Sequence, residues 1–166
     1  MKLDCDTPLG KVFIKEQHNT EDVLSRYGYT FISTPKKDST SDTLIAKNIN
    51  GILTLCGIAE IKSRRMAGRD ILTIEYLKRN GGYLITNEKL KYGRSVSEIL
   101  SVPFYLIVNL LEVRSILIWQ ITSNEGEYNF NFETRSTPTK ATCNGGIAVR
   151  ENSYLPIDKL KETINY

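Results

Sequence analysis

The run Ile52-Leu-Thr-Leu-Cys-Gly-Ile-Ala-Glu-Ile-Lys-Ser-Arg64 constrains the fold most. It is apolar with small residues at Gly57 and Ala59, and it carries charge only at its far end. Such a run reads as a strand covered on both faces, with its charged end emerging at a rim. A strand of that kind needs partners. The turn sequence Asn48-Ile-Asn-Gly51 separates it from the β-branched segment 42–47, which predicts a hairpin. Segments 103–112 and 115–122 form the most apolar part of the chain and predict a second hairpin, with Trp119, Phe104 and Tyr105 in the core.

Around these strands lie weaker signals. A short helix is expected from Asn19 or Thr20 as N-cap to about Gly28, with Glu21 and Asp22 in its first turn and Val23, Leu24 and Tyr27 on its buried face. Segment 29–34 reads as a strand, 36–41 as a polar turn, 70–80 as a weaker helix and 83–86 as a short extended piece. A clear helix is expected over 87–100, capped by Thr86 or Asn87 and interrupted or weakened at Gly93. Beyond 125, alternating segments predict further antiparallel strands, and Pro156 opens a short closing helix. The order α-β-β-β-α-β-β with appended strands is α/β around a mixed sheet. With 166 residues and no linker-like run, one domain over 1–166 is expected, its core at about 19–122 and an additional β segment at about 125–166.

Composition narrows the function. The net charge of +3 permits a nucleic-acid partner without requiring one. Three scattered cysteines and a single histidine, His18, argue against a structural zinc site or a disulfide framework. His18 reads as too isolated for a ligand, and Cys143 as a turn residue. The chain starts with acids where a signal peptide would be apolar and holds no long apolar run, so a cytoplasmic protein without a membrane span is expected.

Chemistry concentrates in Asp42, Glu60 and Lys62. Residues two apart on a strand share a face, so Glu60 and Lys62 project together. Asp42 lies nine residues before Gly51 and Glu60 nine after it, so a hairpin turning there brings the two carboxylates together. Two converging carboxylates suit a hard divalent ion such as Mg²⁺, with Mn²⁺ able to substitute. A neighbouring lysine can orient or deprotonate water, or stabilise charge on a phosphate. Lys62, Arg64, Arg65 and Arg69 add four cations without an acid among them, the pattern that binds phosphate backbones.

Ser41-Asp-Thr-Leu-Ile-Ala46 followed by Gly57-Ile-Ala-Glu-Ile-Lys-Ser-Arg64 resembles the PD-(D/E)XK nuclease superfamily, whose fold is restriction-endonuclease-like. The resemblance spans about 19–122, although Ser41 stands where the family has proline. It implies Asp42 and Glu60 as Mg²⁺ ligands, Lys62 as the catalytic lysine, Glu21 as a supporting ligand, and Lys89 as an auxiliary cation near substrate. The implied activity is Mg²⁺-dependent DNA endonuclease, of the compact kind found in phages and mobile elements, which would place a phage-encoded enzyme in the host cytoplasm. Cutting two strands symmetrically would call for a homodimer. The alternative is an inactive nucleic-acid-binding or protein-interaction module that retains the fold.

Bland roles stand beside each of these. Glu60 and Lys62 can be a surface pair, Asp42 a turn residue, Glu21 a helix N-terminal charge, Lys89 a solubilising lysine and the arginines a solvated loop.

Overall fold

A computed structural model describes residues 7–34, 42–67, 69–140 and 147–166. The turn expected at 36–41 and Cys143 both lie outside these residues. Helix α1 (Pro8–Ser25) leads into β1 (Thr30–Ser33), β2 (Thr43–Ile49) and β3 (Ile52–Arg64). A two-stranded ribbon, β4 (Met66–Ala67) with β5 (Asp70–Ile71), precedes α2 (Ile74–Arg79), β6 (Tyr83–Thr86) and α3 (Asn87–Leu100). Then come β7 (Phe104–Leu110), β8 (Ser115–Gln120), β9 (Glu133–Lys140), β10 (Ile147–Leu155), a 3-10 turn at Ile157–Lys159 and β11 (Glu162–Asn165).

The protein is α/β. Its central six-stranded sheet runs β1-β2-β3-β7-β8-β11 and is mixed, because β3 and β7 are parallel while the other neighbours are antiparallel. The parallel pair requires a crossover, which the chain makes through α2, β6 and α3. Alternation along the strands sends Ala59, Ile61 and Ile107 to a core shared with Leu24 of α1. It sends Ile58, Leu106, Val108, Leu117 and Trp119 to a second core shared with Leu90 of α3. Helices therefore cover both faces, and β3 and β7 are buried strands as their apolar runs require. Trp119 and Phe104 are core residues as expected, while Tyr105 is half-buried.

Several expectations change. Helix α1 begins at Pro8, not at Asn19 or Thr20, with the Thr7 hydroxyl accepting the Gly10 N–H at 3.1 Å. A capping residue followed by proline at the first helical position is a start signal that takes precedence over the later polar pair. Asn19 and Thr20 are thus helix interior, and Tyr27 lies past the end and is half exposed. Gly93 does not break α3. A Cβ there would sit 2.3 Å from the Phe104 ring, so the glycine admits the ring and the helix continues.

The C-terminal part also differs. Segment 127–132 is irregular apart from a bridge between Thr122 and Tyr128, and β9 starts at Glu133. Strands β9 and β10 join β6 in a separate three-stranded sheet, and β11, which follows the 3-10 turn, extends the central sheet beside β8.

Candidate functional site

The site forms where β2 begins and β3 ends. The tight turn has Asn50 and Gly51 at φ 53° and 83°, a two-residue hairpin loop in which Ile49 faces Ile52. That register would put Thr43 opposite Ile58. It does not persist, because pairing shifts at Ile45/Ala46 so that Leu55 faces Ala46 and Gly57 faces Ile45. Cys56 is the extra residue, a β-bulge that brings Thr43 opposite Ala59. Asp42, one residue earlier, then donates its N–H to the Ala59 carbonyl at 3.0 Å, and its Oδ2 accepts the Ile61 N–H at 2.8 Å.

Glu60 is only 1% exposed. Lys62 Nζ lies 2.5 Å from Glu60 Oε1 and 3.7 Å from Asp42 Oδ2, so one ammonium bridges both carboxylates. A second ammonium arrives from α3, with Lys89 Nζ 3.1 Å from Glu60 Oε1 and donating to Oε2 at 3.3 Å. A buried carboxylate is tolerated only when compensated in this way. Both ammoniums thus crowd Oε1 as ion pairs, although neither meets it with the alignment of a hydrogen bond. Burial alone would pull the Lys62 pKa down, but the charges of Glu60 and Asp42 outweigh it and the net direction is up. Without a divalent ion Lys62 is thus an ammonium rather than a proton acceptor.

Glu21 is buried near the C-terminal end of α1, so it is no first-turn partner of the helix dipole. Gln17 Nε2 donates to its Oε1 at 3.1 Å, and His18 Nδ1 lies 3.0 Å from Oε2. Gln17 also reaches the Asp42 carbonyl at 3.4 Å, linking Glu21 to the start of β2 through the main chain. Among the described residues no three His, Cys, Asp or Glu side chains form a group able to hold a metal ion, so Asp42, Glu60 and Glu21 do not converge as a triad. His18 is not isolated, and Gln17 was not singled out from sequence. Their three- and four-residue spacings from Glu21 on a helix are the signal that finds both once α1 is known to extend through them.

The basic run divides. Arg64 remains on β3 and donates to the Ser63 carbonyl at 3.1 Å. Arg65 turns toward α1 and donates to Glu16 Oε1 at 2.8 Å. Arg69 is exposed in the turn of the β4–β5 ribbon. Lys89, expected as an auxiliary cation near the site, touches Glu60 while remaining partly exposed.

Two carboxylates and the two ammoniums that meet them form a small, charge-balanced group at the rim of a sheet. The donor set of the carboxylates is hard oxygen, which fits Mg²⁺ or Mn²⁺ completed by water rather than a softer metal. Among the described residues no helix is long and apolar enough to cross a membrane. No protein-family model, curated protein or solved structure matches the chain.

Proposed function

We propose that the protein is a Mg²⁺-dependent DNA endonuclease of the PD-(D/E)XK type, with a restriction-endonuclease-like core. The observation that carries this reading is the convergence of Asp42, Glu60 and Lys62, with Lys62 Nζ 2.5 Å from one carboxylate and 3.7 Å from the other. Asp42 and Glu60 would hold the ion, and Mn²⁺ could replace it. A divalent ion there would polarise the phosphodiester and acidify its water.

The chain's own groups do the rest. Glu60 is buried and held in place by Lys89. Asp42 is held by the Ile61 N–H. Lys62, released from the carboxylates by a competing cation, can donate to a phosphate oxygen and stabilise charge that develops there. Arg64 and Arg69 lie on the sequence that continues from this rim and would supply backbone affinity. Arg65 contributes less, because Glu16 already neutralises it.

A second reading, an inactive nucleic-acid-binding or protein-interaction module, draws on the absence of a three-acid group among the described residues. Plasmid nicking separates the two. The wild type is expected to relax supercoiled DNA in Mg²⁺ or Mn²⁺ and not in EDTA, whereas Asp42→Asn and Glu60→Gln each lose at least about a hundredfold in rate. A folded wild type that nicks nothing, or variants that nick at the wild-type rate, would refute the nuclease.

A further inference from the structure

We propose that Lys89 is a built-in cation of the site, a positioning residue that stays on Glu60 when a divalent ion binds and limits the Asp42–Glu60 pair to one such ion. This rests on the metal-dependent reading above and adds to it the number of ions and the role of an α3 residue.

Lys89 stands in the first turn of α3, after the N-cap Thr86. The helix dipole opposes a cation there, and a lysine serving only solubility gains nothing from the position. What offsets that cost is Glu60, whose two oxygens both lie within 3.3 Å of Lys89 Nζ. The two ammoniums are not equivalent. Lys62 bridges Glu60 and Asp42, the place a shared divalent ion would take, while Lys89 engages both oxygens of Glu60.

The first turn of α3 is also tied down. Asn87 Nδ2 donates to Glu151 Oε2 at 3.2 Å, and the fully buried Ser153 donates to Asn87 Oδ1 at 3.4 Å. Both partners belong to β10, so the smaller sheet fixes the end of the helix that presents Lys89. A divalent ion replacing Lys62 balances the two carboxylates, and Lys89 is then surplus positive charge facing any second ion. Coulomb repulsion at such separations, beside a carboxylate that is only 1% exposed, disfavours that second ion.

Mn²⁺ titration followed by electron paramagnetic resonance tests this on the full chain without reference to turnover. The wild type is expected to bind one Mn²⁺. Lys89→Met should bind its first Mn²⁺ about tenfold tighter, because a positive charge close to the ion has gone. Lys89→Arg, which keeps the charge, should stay within about twofold of the wild type. Lys89→Gln gives the same comparison with a polar side chain should Lys89→Met fail to fold. Two ions on the wild type, or an unchanged or weaker affinity in the neutral variants, would overturn the proposal while leaving the metal site standing. If the neutral variants instead lose DNA affinity in Ca²⁺ at constant Mn²⁺ affinity, Lys89 is a phosphate contact. A folded wild type that binds no Mn²⁺ refutes the metal reading itself.

Discussion

Lys62→Met is the most informative perturbation, because stability and chemistry respond to it differently. Lys62 supplies one of two cations on a carboxylate that is 1% exposed, and its own side chain is 28% exposed. Leaving a buried charge without any partner costs about 3–5 kcal/mol. Lys89 remains 3.1 Å from Glu60 Oε1, and water reaches Lys62, so the loss should be smaller, about 1–2 kcal/mol. For a chain of this size that lowers Tm by about 2–8 °C in EDTA. The loss should depend on Glu60: in a double-mutant cycle with Glu60→Gln, the coupling is expected at about 1 kcal/mol. Mn²⁺ should raise the Tm of Lys62→Met at least as much as that of the wild type, since the ion no longer has to displace the ammonium that bridges Asp42 and Glu60. Nicking should nevertheless be lost. A coupling indistinguishable from zero would show that Lys62 is not held by Glu60, and wild-type nicking would remove it from the chemistry.

Two further outcomes concern the scaffold. Gly93→Ala should destabilise the protein by about 1–2 kcal/mol, because a Cβ 2.3 Å from the buried Phe104 ring costs more than the roughly 1 kcal/mol of helix propensity it gains; a higher urea midpoint in the variant would contradict that packing. Burial and the hydrogen bond from Tyr29 to Glu162 Oε2 at 2.7 Å raise the Tyr29 pKa, so its contribution to stability is complete below the unfolded value of about 10 and is lost as pH rises beyond it. Tyr29→Phe should therefore lose less stability than the wild type between about pH 10 and 11.5 in urea titrations, and parallel curves would refute the linkage.

Much of the sheet was legible because buried strands declare themselves. Strands β3, β7 and β8 carry long apolar runs, and the Asn-Gly turn has specific chemistry; Thr86 marks the start of α3 although its side chain makes no capping hydrogen bond. Strand β11 was not, since Glu162-Thr-Ile-Asn165 buries only Ile164 and owes its place to β8. The start of α1 was hidden for a similar reason: its first two turns face solvent at Lys11, Val12 and Phe13, with little apolar periodicity to find. Of the site, Asp42, Glu60 and Lys62 were legible from strand alternation. The linkage of Lys89 to Glu60 was not, because it depends on how α3 crosses the sheet and no local pattern encodes that.

The meeting of Asp42 and Glu60 rests on a feature that the residue count concealed. Counting nine residues either side of Gly51 treats the turn as centred on that glycine, whereas the two-residue loop is centred between Asn50 and Gly51. On that centre alone, Thr43 would face Ile58, and the start of β2 would be turned to the wrong side of the sheet. Ile45, now 4% exposed in the α1 core, would change places with Leu44, which packs against the α3 core. Cys56 absorbs the discrepancy as the bulged residue, and the count comes out right because loop and bulge compensate. The site therefore depends on a residue that carries no charge and takes no part in the chemistry. A bulge beside Gly57, whose missing side chain leaves room for the Tyr105 ring, fixes which face of β3 the first residues of β2 share. In that arrangement Asp42 reaches Lys62 with its side chain while its backbone still pairs with Ala59.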